Sequence, residues 1–181
     1  MKKLLSFCVI SAFLSFPFSA FAQNAKPPAA TLPNGASSLS ETYGLWSVNC
    51  GIQEDRKVCF INRQEVNDQN RIVLAMNLVL NSDGMVSGEL VVPFNILVSK
   101  PINLQVDDGK AIIETSIRTC VPTGCIVPVA FDKNFVTALR SGKRLKLVMT
   151  AAIPGEPTLN DFFVQLNGFS NALNRLAALQ K

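Results

Sequence analysis

The sequence predicts a mainly β fold, an antiparallel β-sandwich or barrel-like domain with one or two short helices. Three observations lead there. Seven to nine short stretches alternate apolar with polar residues or run rich in β-branched residues, and Gly, Pro, Asn and Asp clusters separate them. Only two segments, near 132–142 and 169–179, place apolar residues at helical spacing. No strand–helix–strand rhythm, dinucleotide-binding glycine pattern or internal repeat is present, so one domain suffices.

The chain opens with features of export. "MKK" is followed by the apolar run "LLSFCVISAFLSF" and by "SAFA", whose Ala20 and Ala22 suit a signal peptidase, so residues 1–22 read as a signal peptide cleaved before Gln23. Pro17 interrupts the run, which is shorter than the roughly 20 residues a spanning helix needs. Residues 23–42, with three prolines and many small polar residues, read as a flexible N-terminal segment. The folded domain is expected over 43–181.

Within it, "YGLWSVNC" puts Trp46, Val48 and Cys50 on one face of a strand. "VCFINRQEV" resumes the extended pattern, which suggests a hairpin bridged by Cys50 and Cys59. "RIVLAMNLVLN" is a third strand, closed by the turn residues "SDG" at 82–84. In "MVSGELVVPFNILVS", Pro93 fits a strand end, edge or bulge. "PINLQVDDGKAIIETSIRTC" reads as a strand pair turning at "DDGK". Asp107 and Asp108 there lack the spaced oxygen ligands of a calcium loop. "IVPVAFD" is a short strand expected to break at Pro128. In "DKNFVTALRSG", Asp132 caps a helix that carries Phe135, Val136 and Leu139 on one side and ends at Gly142. "KRLKLVMTAA" and "LNDFFVQLNG" return to strand. The C-terminal helix aligns Phe169, Leu173, Leu176 and Ala177, with Ser170 as its expected cap.

The chemistry this sequence offers is narrow. The chain has no histidine, which removes serine–histidine and cysteine–histidine nucleophiles and imidazole metal ligands. After loss of the signal, four cysteines remain, Cys50, Cys59, Cys120 and Cys125, an even number in an exported chain, where disulfides persist. Four cysteines allow three connectivities, and the close spacings favour Cys50–Cys59 and Cys120–Cys125. "CVPTGC" has four residues between its cysteines and no helix after it, unlike a thioredoxin-type centre, and Pro122 and Gly124 let the chain turn back. Thiolate zinc is equally ill served by these spacings. Nothing in the sequence requires a cofactor or a metal.

Paired carboxylates remain the one hydrolytic alternative. Glu54, Asp55, Glu65, Asp68, Glu89, Glu114 and Asp161 are available, but no pattern brings two of them across a cleft. The full chain carries 17 basic and 13 acidic residues. Removing Lys2 and Lys3 leaves a side-chain net of +2, too little for a nucleic-acid groove. The densest charge is "RSGKRLK", with Arg140, Lys143, Arg144 and Lys146. It is either a basic interaction patch for an anionic lipid, a glycan or a protein partner, or the outward side of a half-buried strand, since Arg144 and Lys146 alternate with Leu145 and Leu147.

Taken in order, "GLWSVNC" with Cys59, then "CVPTGC", then "LNGFSNAL" at 166–173 make the chain resemble the invasion associated locus B family, from Tyr43 to Leu179. On that resemblance, Trp46, Cys50 and Cys59 match the N-terminal motif of the family, Cys120, Pro122, Gly124 and Cys125 the second, and Gly168 with Phe169 the terminal glycine–aromatic step. The resemblance implies a non-enzymatic protein exported to the periplasm or cell envelope of a Gram-negative bacterium, outer-membrane associated or surface exposed in one version. It further implies a part in host-cell invasion, notably of erythrocytes, through an envelope or host-surface macromolecule. Peripheral membrane association, and an indirect part as an envelope-integrity or chaperone-like factor, fit the same resemblance. It assigns no catalytic residue.

Overall fold

The computed structural model describes residues 31–109 and 112–180. The expected signal peptide and the first part of the flexible segment, residues 23–30, lie outside them. Among the described residues there are eleven strands and two α-helices, arranged as two antiparallel sheets. The first sheet contains β1 (Ser38–Tyr43), β2 (Trp46–Gln53), β3 (Arg56–Val66), β4 (Ile72–Leu80), β5 (Val86–Val92), β9 (Gly124–Phe131) and β8 (Thr119–Val121), in that spatial order. The second runs β11 (Thr158–Gln165), β10 (Arg144–Thr150), β6 (Ile102–Val106), β7 (Ile112–Thr115). The helices are α1 (Lys133–Ser141) and α2 (Phe169–Leu179). The two sheets stay separate and face each other, so the sandwich form of the expectation holds.

Period-two patterning builds both layers. Inward residues such as Val48, Ile61, Leu78 and Leu90 of the large sheet, and Leu104, Leu145 and Leu147 of the small one, have no exposed surface. The small sheet covers part of the large one, with β11 against β3 and β4 and β7 against β9. Helix α2 covers the rest of that face, over β1 to β4, and buries Phe169, Ala172, Leu173, Leu176 and Leu179. Asp132 caps α1 through a 2.7 Å bond from the Phe135 N–H, and the Gly142 N–H closes it on Ala138 O.

Several expectations are corrected. The segment expected to be flexible up to residue 42 is already folded in its second half: Leu32 is buried, Pro33–Gly35 form a 3-10 turn, and β1 pairs with β2 from Ser38↔Gly51 to Tyr43↔Trp46. Polarity hid this strand, because its alternation sets Leu39, Glu41 and Tyr43 against Ser38, Ser40 and Thr42. Pro128 does not break β9. It sits opposite Glu89, beyond the reach of the three-residue β8, and its carbonyl accepts from Thr115 Oγ1 at 2.7 Å, so no neighbouring strand requires the N–H it lacks. The stretch after the "DDG" turn is not one strand: β7 stops at Thr115, and the chain crosses to the large sheet as β8. Ser170 lies inside α2, whose cap is Gly168.

Candidate interaction surface

The residues singled out in the sequence fall into two sets, one inside the domain and one on its surface. The inner set begins with Trp46, fully buried at the start of β2. Its ring meets Phe169 edge-on at 5.1 Å, and its Nε1–H donates to Gln165 O at 2.9 Å. The N–H of the same Gln165 donates to Glu65 Oε1 at 2.7 Å, and Glu65 is held by Arg63 at 2.6 Å. One residue of β11 is thereby tied through its N–H and its carbonyl to two strands of the other sheet. Gly168 has φ 95°, and a Cβ there would overlap the Tyr43 carbonyl, so the Gly168–Phe169 step lets α2 dock against the β1–β2 turn. The Leu45 N–H donates to Asn167 O at 3.0 Å across this crossing.

Both disulfides are local. Cys50 and Cys59 are directly opposed on β2 and β3, both buried, and are followed by a two-residue turn whose Glu54 and Asp55 take φ 48° and 60°. Cys120 and Cys125 oppose each other on β8 and β9, with Pro122 in the turn between them. Gly124 closes that turn at φ 142°, where a Cβ would lie 2.7 Å from both Val91 Cγ1 and Val92 O. Cys120 is exposed and Cys125 buried.

A second polar cluster holds α2. Arg175 donates twice to Glu41 at 2.7 and 2.8 Å, and the Tyr43 hydroxyl donates to Glu41 at 2.9 Å. The Arg175 hydrogen bonds hold the Glu41 carboxyl below its ordinary value, while the bond to Glu41 raises Tyr43.

On the surface, the basic run divides. Arg140 leaves the expected patch: its Nη1 donates to Ser170 Oγ and Asn174 Oδ1 and links α1 to α2. Lys143 sits in the loop after α1. Arg144 and Lys146 point outward from β10, while Leu145, Leu147 and Met149 point in. Arg144 lies over the Phe163 ring, 4.5 Å from its centroid, and Lys146 is flanked by Phe163 on β11 and Gln105 on β6. Beside them, Asp107, Asp108, Lys143, Arg144 and Gln165 line an open cleft of about 500 Å3. Asp107 is committed to structure. At φ 50° its carboxylate accepts from the backbone N–H groups of Lys143 and Arg144 at 3.1–3.2 Å, and its own N–H donates to Arg144 O.

The sequence reading missed Phe163, because its outward position opposite Lys146 depends on strand register. It also missed Glu41 and Arg175, which meet across 134 residues of sequence. Of the carboxylates considered for hydrolysis, Glu54, Glu65 and Glu89 are paired with Arg56, Arg63 and Arg118. No group of three or more His, Cys, Asp or Glu among the described residues could hold a metal ion. No helix among them is long and apolar enough to cross a membrane.

One end of the sandwich is apolar. Val66, Ile72, Phe94, Val98, Val121 and Ile153 are all exposed at or beside the β3–β4, β5–β6, β8–β9 and β10–β11 connections. The Ile96↔Ala151 bridge joins two of these loops.

Comparison with known proteins agrees with the residues that carried the resemblance. Residues 46–177 match the family described as invasion associated locus B (IalB) protein. The chain is 65% identical to invasion protein B of Bartonella bacilliformis over the full length of both. It is 38% identical to an invasion protein B homolog of Brucella abortus, covering 93% of this chain and 95% of that one. The crystal structure of invasion associated protein b from Bartonella henselae superposes with a TM-score of 0.77 at 77% identity, covering 78% of this chain and 97% of that chain.

Proposed function

The chain belongs to the invasion associated locus B family, and from that premise we propose that it is an exported, non-enzymatic protein of the periplasm or cell envelope that serves host-cell invasion by binding another macromolecule. The relation to proteins named for invasion along the whole domain carries this reading. The chemistry of the chain supports it. There is no histidine, the four cysteines of the domain are in disulfides, and several carboxylates are bound to arginines. What the surface offers is a rigid sheet face bearing unpaired cations, which suits binding more than bond cleavage.

A second reading, an envelope-integrity or chaperone-like factor that affects invasion indirectly, is favoured by the apolar end, since exposed apolar side chains suit contact with other chains. Protease added to intact bacteria, followed by quantitative crosslinking in free and host-bound cells, separates the two. Loss of the protein to external protease together with crosslinks to host-surface molecules is expected for direct binding. Full protection, with crosslinks only to envelope components, would reject direct host contact.

A further inference from the structure

We propose that the outer face of the small sheet, centred on Arg144 and Lys146, is a recognition site for a linear sulfated glycan. The inference rests on the reading of the protein as a macromolecule binder and names the ligand of its basic surface. Strand register builds the site. Arg144 faces Gln165, Lys146 lies between Phe163 and Gln105, and Gln105 faces Ile112, so aromatic, cationic and amide side chains fill adjacent positions on one side of four strands. The Phe163 ring supports the Arg144 guanidinium, whose carbon lies 4.5 Å from the ring centroid, and a guanidinium offers paired N–H groups suited to a two-pronged contact with an oxyanion. Lys146, two residues along with its backbone position about 7 Å away, adds a second positive charge on the same face, and Lys143 a third beside the cleft.

These cations have no carboxylate within ion-pairing distance among the described residues, in contrast to Arg56, Arg63, Arg118 and Arg175. Of the two carboxylates that line the cleft, Asp107 is engaged with the backbone N–H groups of Lys143 and Arg144, and Asp108 is within the cleft but forms no ion pair with these cations. The spacing along a strand matches a ligand that repeats its charges along a chain. The side-chain amides of Asn103 and Gln165, and the Oε1 of Gln105, whose Nε2 donates to Gly109 O, supply hydrogen-bonding groups of the kind that meet sugar hydroxyls. An anionic bilayer is the poorer fit, because most of the exposed apolar side chains able to enter it lie at the loop end, only Ile112 of them sits on this face, and the face also carries Glu114 beside Asn103.

The test uses the mature protein, immobilised heparin as the probe, heparin stripped of sulfate, and vesicles with one-third phosphatidylserine. Wild type is expected to bind heparin at 0.15 M salt, to weaken steeply with added salt, and to bind desulfated heparin at least tenfold less. Arg144→Gln with Lys146→Gln should weaken heparin binding at least tenfold, whereas Lys57→Gln with Lys100→Gln, which removes the same charge elsewhere, should change it less than twofold. Asp108→Asn, which removes a repelling charge from the cleft, should strengthen it. Circular dichroism and urea midpoints identify any variant that has lost the fold, and Arg144→Lys then serves in its place, with an intermediate loss expected because the ammonium lacks the planar fork. Equal weakening by both double variants, no wild-type binding to heparin, or binding to vesicles in preference to heparin would each overturn the site. A crosslink to a host-surface protein without heparin binding would overturn this inference and leave the binder reading intact.

Discussion

Replacing Gly168 with alanine tests the junction that holds α2 to the sandwich. Two costs add at this position. Its φ of 95° lies in the left-handed half of backbone space, where an L side chain costs roughly 1–2 kcal/mol. The new Cβ would also overlap the Tyr43 carbonyl and lie 3.0 Å from Gly44 Cα, so backbone must shift, and forced repacking of this kind costs about 1–3 kcal/mol. Together the loss should be about 2–5 kcal/mol, a large part of the 5–15 kcal/mol by which domains are usually stable. Gly35 supplies the control, because it has φ 72° and nothing within 4 Å of a Cβ, so Gly35→Ala should lose only the backbone share. Asparagine tolerates positive φ and should nearly restore stability at 35, but not at 168, where the overlap persists. Trp46, the only tryptophan, packs edge-on against Phe169 and reports the unfolding of this junction by fluorescence in urea. A loss below 1 kcal/mol for Gly168→Ala, or full restoration by Gly168→Asn, would refute the close-approach argument.

Two further outcomes follow from the same geometry. Cys120→Ser with Cys125→Ser should lower stability by roughly 0–3 kcal/mol, since the chain-entropy estimate for a six-residue loop is about 2 kcal/mol, and should leave insulin-reduction activity absent before and after. Robust thiol exchange by wild type that vanishes in a folded double variant would refute the staple. Because Glu41 titrates below its ordinary value near 4.5 when folded, its contribution is present above that pH and is lost as pH falls through the folded value. The acid limb of stability against pH should therefore flatten in Glu41→Gln, and an unchanged limb in urea titrations between pH 2 and 6 would remove Glu41 from acid unfolding.

The parts of this fold that were legible in the sequence are those where one local rule decides. Asp132 and Gly142 bracket α1 because a capping carboxylate and a terminal glycine act within one turn of their helix. Trp46, Val48 and Cys50 declare an inward face because alternation and hydropathy agree there. Where they disagree, the reading stopped short. Strand β1 looked like linker because its inward positions include Glu41, whose charge is acceptable only through Arg175, a residue on the last helix. Pro128 looked like a break because the sequence does not tell which of its sides a neighbouring strand occupies. Surface chemistry was the least legible. "KRLK" shows the cations, but Phe163 and Gln105, which flank Lys146, come from strands whose register no local pattern fixes.

The placement of charge bears on what the fold needs and what it does not. Arg175 with Glu41 fastens α2 to β1, and Arg63 with Glu65 fastens β3 to the end of β11, so these partly buried ions have structural work that neutral residues would leave undone. Arg140, with neutral partners on α2, belongs with them. Lys143, Arg144 and Lys146 differ. Lys143 lies in a loop, and strand β10 would form with glutamine or threonine at 144 and 146, since its stability comes from Leu145, Leu147 and Met149 beneath. Cations gathered on a flat, rigid face raise the local concentration of anionic partners and speed encounter, an effect that acts between molecules and fades with salt. In a domain whose net charge is close to neutral, that concentration of unpaired charge on one face is the feature that folding leaves unexplained and binding accounts for.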